Sequence, residues 1–157
     1  MRILVTYADG TSAGTARLIG DTLVLHGFDS VVRPVETAGD ESFDAVVLGG
    51  TAHAGHWPRH AVRFAVSQQR RLRGVPVWLF SNSSAGDALT PEQRIDIGPV
   101  EEAVLPLDHR PFLAAQAPAR PWTPHALEPD PGEVCGWAHQ IATQLQTKAA
   151  AGAESPG

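Results

Sequence analysis

The stretch ILVTYADGTS at residues 3–12, together with the helical pattern that follows it, decides the fold class. Its first residues, 3–5, are apolar without polar alternation, and such a run predicts a strand that is buried on both faces. Asp9 and Gly10 predict a turn, and apolar residues at helical spacing then predict a helix over residues 12–25. A buried strand, a short loop and an amphipathic helix in this order form the repeating unit of a parallel α/β sheet.

The same unit recurs along the chain. Further apolar runs predict a second strand at residues 31–35, a third at 44–50, a fourth at 75–81 and a fifth near 110–113. Five such strands in a chain of this length favour a doubly wound parallel sheet in the order 2-1-3-4-5. We therefore predict an α/β domain with three layers, α/β/α.

Helical patterns separate these strands. One begins at Pro58, and another begins at Pro91 with Thr90 as its cap and an interruption expected near Gly98–Pro99. The last helix carries an apolar face that starts at Val134 and repeats at i, i+3, i+4 and i+7. Helices after successive parallel strands cover both faces of the sheet and complete the three layers.

Length, charge and cysteine content narrow the class of protein. The chain has 157 residues, a net charge of −5 and one cysteine, Cys135, which excludes a disulfide within the chain. One domain is expected over residues 1–148, followed by a flexible tail at 149–157. The negative charge argues against a nucleic-acid partner, and no apolar run reaches the roughly 20 residues of a membrane span. A cytoplasmic location with no membrane partner is the default expectation.

Parallel sheets bind ligands outside the carboxyl ends of their strands, where the strand order reverses, so the loops after strands one, three and four are the candidates. The first loop, residues 6–12, joins a buried strand to a helix N-terminus, which attracts phosphate through its N–H groups and dipole. Gly10 permits close approach of a ligand, while Thr11 and Ser12 offer hydroxyls. The alternative is an ordinary turn capped by Ser12.

The other two loops have the composition of a site for a flat ligand. In residues 49–58 three glycines let the backbone lie against a ring, Thr51 offers hydrogen bonds, and a histidine or Trp57 can stack on the ring or shield it. The alternative for Trp57 is a cap over the edge of the core. The third loop, residues 81–87, is small and polar, and it predicts either contact with the ring edge or a solvated turn.

Two histidine-containing patterns suggest other chemistry. The spacing of His53, His56 and His60 suggests a metal site, but these residues straddle a loop and a helix start, and no neighbouring carboxylate or cysteine completes the set. We therefore predict no metal. The segment 108–110, Asp-His-Arg, has no nucleophile elbow beside it and predicts a strand entrance with a charge pair.

Several of these segments resemble proteins of the flavodoxin family. ILVTYADGTS followed by a helix resembles the family's phosphate loop, and residues 43–64 (FDAVVLGGTAHAGHWPRHAVRF) resemble its third strand and ring-binding loop. The similarity is closest to flavodoxin-domain proteins and flavodoxin-type protoporphyrinogen oxidases, and it spans residues 2–146. It is weakest at 85–105 and 114–132. The resemblance implies a flavodoxin-like fold, with the strand order predicted above, and an FMN cofactor.

The resemblance also implies how FMN is held and used. Gly10, Thr11 and Ser12 would hold the phosphate, and Trp57 would lie near the dimethylbenzene side of the ring. The implied function is electron transfer between redox partner proteins, a reductase or an acceptor, with no catalytic side chain. Two alternatives stay open, an FMN dehydrogenase like protoporphyrinogen oxidase and a flavin-free binding domain of the same fold. The implied cofactor-binding residues are Thr6, Tyr7, Asp9, Gly10, Thr11, Ser12, Gly50, Thr51, Ala52, His53, Ala54, Gly55, Trp57, Ser81, Asn82, Ser83 and Gly86.

The phosphate loop departs from the family's pattern at three positions. Tyr7 stands where the family usually has Ser or Thr, and Ser12 stands in for Thr. Asp9 places a carboxylate beside the expected phosphate, and this repels a dianion unless the side chain points away. A shifted register that uses Gly14 and Thr15 would need a longer loop. We therefore expect weakened FMN binding and tighter binding after Asp9→Asn.

Residues 113–132 argue against the oxidase alternative. In flavodoxin-type protoporphyrinogen oxidases, which this chain resembles, a long basic and apolar insertion is expected between the last strand and the last helix, where it would dock the protein at a membrane. In this chain the segment contains one arginine, Arg120, and five prolines, which oppose an amphipathic membrane helix. The composition of the segment therefore favours an electron carrier.

Overall fold

The computed structural model describes residues 1–38, 42–52, 56–83, 97–113 and 129–154. Strands and helices alternate through these ranges, as the sequence predicts. In chain order the elements are β1 (Arg2–Tyr7), α1 (Gly10–Leu25), β2 (Asp29–Pro34), a 3-10 turn (Val35–Thr37), β3 (Ala45–Ala52), α2 (Arg59–Ser67), α3 (Gln69–Arg73), β4 (Val77–Ser83), α4 (Gly98–Val104), β5 (Asp108–Leu113) and α5 (Pro131–Glu154).

The five strands form one parallel sheet in the order β2-β1-β3-β4-β5. β1 pairs with β2 on one side and with β3 on the other, so that Ile3 aligns with Ser30 and with Ala45. The predicted fold class and strand order are therefore confirmed. The order reverses between β1 and β3, which puts the carboxyl ends of these two strands at the switch point where such sheets bind ligands.

Each face of the sheet buries its own apolar layer. On one face, Ile3, Val5 and Phe80 pack with α1 and α5; on the other, Leu4 and Leu79 pack with α2, α3 and α4. Successive residues of a strand point to opposite faces of the sheet, and here each face is covered by helices. Neighbouring residues such as Ile3 and Leu4 are therefore both buried. Burial on both faces explains why the strands read as continuous apolar runs rather than as alternating patterns.

β3 passes close to an aromatic cluster at one position. A Cβ added at Gly49 would overlap the Phe80 ring, whose centroid lies 6.4 Å from those of both Phe112 and Trp137. A side chain at residue 49 would displace Phe80 from this cluster. The first glycine of the Gly-Gly pair in β3 therefore has a packing reason that does not involve a ligand.

The helices on the second face differ from the prediction at one described point. The pattern that begins at Pro58 forms two helices, because α2 ends at Ser67 and α3 starts at Gln69. The Gly98–Pro99 pair begins α4, since proline is well tolerated in a first turn, where its missing N–H has no partner to lose. Residues 91–96, where the helix from Pro91 was predicted to begin, lie outside the described residues, so the interruption predicted near this pair stays a prediction.

The last helix continues past the predicted domain boundary at residue 148. α5 runs to Glu154, through a segment that contains Ala149, Ala150 and Ala151, and alanine has the highest helix propensity. No helix in the described part of the chain combines the length and apolarity needed to cross a bilayer.

Candidate functional site

Buried polar side chains gather at one edge of the sheet. Within the described residues, every buried polar side chain lies near the carboxyl ends of β1, β3 and β4 or in the first turns of α1. Burying a polar group costs free energy unless it is hydrogen-bonded, so this concentration marks the edge as the candidate site. We call this set the polar edge; it consists of Thr6, Ser12, Thr15, Thr51, Ser81 and Asn82.

Asp9 caps the helix that begins at the polar edge. It is the N-cap residue of α1, with extended backbone angles, and its Oδ1 accepts a hydrogen bond from the Ser12 N–H at 2.9 Å. The Ser12 hydroxyl, which has one hydrogen to donate, lies 3.0 Å from this oxygen and also 3.0 Å from the Asp9 carbonyl oxygen. This local arrangement is a helix cap, in which the side chain satisfies an otherwise unpaired N–H of the first turn.

The same carboxylate also reaches across the switch point to β3. The Thr51 N–H donates to Asp9 Oδ2 at 2.8 Å, and the Thr51 hydroxyl donates to Oδ1 at 2.7 Å. Two N–H groups and two hydroxyls, from two elements of the sheet edge, therefore converge on one carboxylate. Hydrogen bonds to an ionised acceptor are among the strong ones in proteins.

The ionisation of Asp9 follows from these contacts. Partial burial raises the pKa of Asp9, but the hydrogen bonds from Thr51 and Ser12 lower it by more, so the pKa lies below its usual value of 3.8. Asp9 is therefore a carboxylate at neutral pH, and the polar edge holds a fixed negative charge.

The donor set around Asp9 has the chemistry of an oxyanion site. Backbone N–H groups, hydroxyls and a helix N-terminus bind phosphate in parallel α/β proteins, and here Asp9 acts as a stand-in anion for such a group. The N–H groups and hydroxyls are therefore the types of donor that a phosphate needs. The Asp9 carboxylate, however, already occupies the position at which these donors converge. The condition that Asp9 points away from the phosphate position is not met, because its side chain points into the donors.

Gly10 and Thr11 are placed differently from Ser12. Both are exposed, and they form the first turn of α1 instead of an open loop. The cap of α1 is Asp9 and not Ser12, so the turn alternative was right about the capped helix and wrong about the capping residue. The Asp9 carboxylate accepts the Ser12 N–H of the first turn and the two hydrogen bonds from Thr51 as well.

Two side chains of the polar edge keep unpaired atoms. The Asn82 amide N–H donates to Thr15 Oγ1 at 2.9 Å, but Asn82 Oδ1 has no hydrogen-bond partner among the described residues. Thr6 Oγ1 is likewise buried without a partner among them. Asn82 pairs in register with Thr51, one of the two residues that donate to Asp9.

A hydrogen-bonded chain runs through the other face of the edge. The Trp57 indole N–H donates to Ser81 Oγ at 2.6 Å, and Ser81 Oγ lies 2.7 Å from His109 Nε2. Indole can only donate, so Ser81 Oγ accepts from Trp57. A neutral His109 can then either accept the serine hydrogen at Nε2 or donate its own N–H to the second lone pair of Ser81 Oγ, depending on its tautomer. Burial lowers the pKa of His109 below its usual value of 6.5, against a smaller opposing effect of Asp108, which agrees with this neutral form.

The remaining histidines of the described residues do not form a metal centre. His60 bonds the Ala8 carbonyl through Nε2 and lies 3.9 Å from Glu36, while His56 is exposed. No group of three His, Cys, Asp or Glu side chains in the described ranges is placed to hold a metal.

The other predicted site residues are distributed as follows. Gly50 and Ala52 lie at the carboxyl end of β3, where a Cβ added at Gly50 would make ordinary contacts with Ala8, Pro58 and Trp57. Trp57 is only 6% exposed and packs in the core on the α2 side. Tyr7 packs partly buried on the α1 side. His53, Ala54, Gly55 and Gly86, and the side chain of Ser83, lie outside the described residues.

Sequence reasoning weighed Thr15 in a shifted loop register and His109 within segment 108–110, and it left both out of the predicted site. Thr15 lies three residues after Ser12, and this helical spacing was the available sign that both share the face of α1 turned to the sheet. His109 is the second residue of β5, where its strand position gave no indication that it would meet Ser81.

Solved structures resemble this fold over nearly the whole chain. A flavodoxin from Pseudomonas aeruginosa has a TM-score of 0.64 and 13% identity, covering 93% of this chain and 99% of that one. A flavodoxin from the domain Archaea has a TM-score of 0.64 and 15% identity, with the same coverage of 93% and 99%. Rubredoxin:oxygen oxidoreductase from Desulfovibrio gigas has a TM-score of 0.66 and 13% identity over 95% of this chain, which spans 37% of that longer protein.

These similarities define the class of the protein by its fold. No known family model and no curated protein sequence matches the chain. The sheet order, the three layers and the structural neighbours make it a flavodoxin-like domain. At such low identity the likeness establishes the fold, and the function has to be argued from the site.

Proposed function

We propose that this chain is a flavin-binding electron-transfer domain with FMN as its cofactor. The observation that carries the proposal is the polar edge, where the buried polar side chains of the described residues gather at the carboxyl ends of parallel strands. A doubly wound sheet binds its ligand at that edge. The rest of the described core is apolar. Packing of the core therefore does not by itself explain why buried polar side chains gather at this one edge.

Ser12 and Thr51 are the residues that would hold the phosphate of FMN. Each offers a backbone N–H and a hydroxyl toward one point at the start of α1, where the helix dipole favours a negative charge. Asp9, which is part-buried and therefore has access to solvent, has to leave this point first. When bound, the flavin supplies the one- and two-electron chemistry, and the protein supplies binding, orientation and electrostatics.

The other side chains of the polar edge would orient the ligand and keep its surroundings rigid. Ser81 is held between Trp57 and His109, and Asn82 is held by Thr15. The unpaired Asn82 Oδ1 is an acceptor for a hydroxyl or N–H of the bound molecule. Electron transfer between fixed groups requires no acid or base from the protein, so no catalytic side chain is assigned.

Redox partner proteins, a reductase or an acceptor, are the proposed partners. The chain carries a net charge of −5, and a protein of this charge associates faster with a positively charged surface than with a neutral one. Neither nucleic acid nor a membrane is part of the proposal, and the location proposed is the cytoplasm.

One specific observation favours a second candidate function. Asp9 already satisfies the four donors of the oxyanion site, so the fold is complete there without a ligand. A flavin-free binding domain of the same fold would have this property. The dehydrogenase alternative has no comparable observation among the described residues.

Titration with FMN tests the proposed function. We expect quenching of flavin fluorescence at micromolar protein, and a weaker response in Gly10→Val. Apart from its chain neighbours and the backbone of its own helix, a Cβ added at Gly10 meets no atom within 4 Å, so we expect valine to leave the fold intact and to crowd only a ligand at the start of α1. A protein that is folded by circular dichroism but quenches neither FMN nor riboflavin would overturn the proposal and favour the flavin-free domain.

A further inference from the structure

We propose that Asp9 is an internal competitor for the phosphate of the ligand, which makes the site select only weakly between phosphorylated and unphosphorylated flavin. The inference rests on the proposed function for the identity of the ligand. It concerns the specificity of the site, and it assigns to Asp9 a role opposite to that of an ordinary ligand-binding residue.

The first step of the argument is that the donors are already used. Ser12 and Thr51 each give Asp9 one N–H and one hydroxyl, at 2.7–3.0 Å. An N–H group has one hydrogen to donate, so a phosphate can accept these bonds only if Asp9 gives them up. Part of the energy that a phosphate would gain at this helix N-terminus is therefore spent on displacing the carboxylate.

The second step is electrostatic. If Asp9 stays in place, the phosphate must bind beside an ionised carboxylate, and like charges a few ångströms apart disfavour each other strongly where water is partly excluded. Either route, displacement or repulsion, lowers the affinity for a phosphorylated ligand. Neither route affects a ligand that lacks the phosphate.

A separate observation shows that the site is still shaped for a ligand. Asn82 is 1% exposed, and its Oδ1 has no partner among the described residues. Its amide nitrogen bonds Thr15, one turn along α1 from Ser12, so the side chain faces the first turns of that helix. A ribityl hydroxyl or a ring N–H would pair this acceptor, and FMN and riboflavin both carry such donors, so this contact does not depend on the phosphate.

The experiment compares FMN with riboflavin on four full-length proteins. These are the wild type, Asp9→Asn, Asp9→Ser and the control Asp130→Asn. Asn and Ser are both good N-caps, so each keeps the start of α1 while removing the charge. Asp130 accepts a hydrogen bond from the Gly132 N–H at the start of α5, so its substitution makes the same charge change at another helix.

The ratio of the two dissociation constants is the readout. In the wild type, riboflavin and FMN should bind with affinities within a few-fold of each other. Asp9→Asn or Asp9→Ser should favour FMN by about tenfold or more, the scale of hydrogen bonds to a charged group, with riboflavin unchanged. A wild-type preference for FMN of about a hundredfold, or a ratio that does not move in either Asp9 variant, would overturn the proposal.

A second arm uses inorganic phosphate as the probe and needs no flavin. At constant ionic strength, phosphate should raise the melting temperature of Asp9→Ser but not that of the wild type or of Asp130→Asn. If no flavin binds any of the four proteins, the proposed function fails and this arm alone decides the role of Asp9. No rise in Asp9→Ser would then overturn that role as well.

Discussion

Two helices of this domain begin with an aspartate, and the two aspartates have different surroundings. Asp130, before α5, is exposed and accepts a hydrogen bond from the Gly132 N–H at 3.1 Å. Asp9, before α1, is part-buried and accepts hydrogen bonds both from its own helix and from Thr51 of β3. The comparison shows that an aspartate before a helix can either cap that helix alone or also connect it to another element. Asp9 joins α1 to β3 where the sheet reverses its order.

The largest expected effect concerns stability. Asp9→Ala should lower the free energy of unfolding by about 2–4 kcal/mol, because it removes a cap and leaves the Thr51 donors without their charged acceptor. Asp130→Ala should cost only about 0.5–1 kcal/mol, since an exposed cap can be replaced by water. Chemical denaturation of the two variants measures the difference. Equal losses would show that the bonds to β3 add nothing beyond the cap.

Acid sharpens the same comparison. The pKa of Asp9 in the folded protein lies below its usual value of 3.8, so near and below 3.8 the unfolded chain binds more protons than the folded one. The stabilisation by Asp9 is therefore complete above that value and is lost as the pH falls through the lowered folded pKa. We expect Asp9→Asn to flatten the acid end of the stability curve, measured by denaturation at several pH values. If Asp130→Asn flattens it equally, the assignment to Asp9 is wrong.

The smallest expected effect lies on the other face of the polar edge. Burial lowers the pKa of His109 below 6.5, so just below pH 6.5 the unfolded chain holds more protons and stability rises with pH. Acidification from neutral pH should therefore weaken the fold until the lowered pKa is passed. His109→Gln should reduce this slope below that of the wild type. Melting temperatures recorded across this range give both slopes, and a steeper slope in His109→Gln would contradict the neutral, Ser81-bonded form.

The fold could be predicted from the sequence because burial on both faces leaves a direct trace in it. Residues 45–50 are without polar side chains and show no alternation, which is typical of a central strand covered by helices on both sides. The break between α2 and α3 left no such trace, since Gln68 is an ordinary helical residue whose effect depends on packing. Boundaries of this kind are decided by tertiary contacts rather than by local preference.

The candidate site could be predicted in position but not in detail. The switch point follows from strand order alone, and the polar edge lies at the loops after β1 and β3, which the sequence singled out for that reason. The tie between Asp9 and Thr51 joins residues 42 positions apart, and no local pattern encodes a contact between two loops. The link from Ser81 to His109 is equally non-local, since it depends on which side chains of β4 and β5 share a face.

The four donors around Asp9 also bear on how such a site changes over generations. Because Ser12 and Thr51 bond a carboxylate that joins α1 to β3, a change at either residue would cost stability whether or not a ligand is bound. The codons of aspartate and asparagine differ at a single base. One mutation at residue 9 therefore removes the charge and leaves the Ser12 and Thr51 donors in the sequence. An anion-binding geometry can in this way persist through a lineage as a by-product of stability.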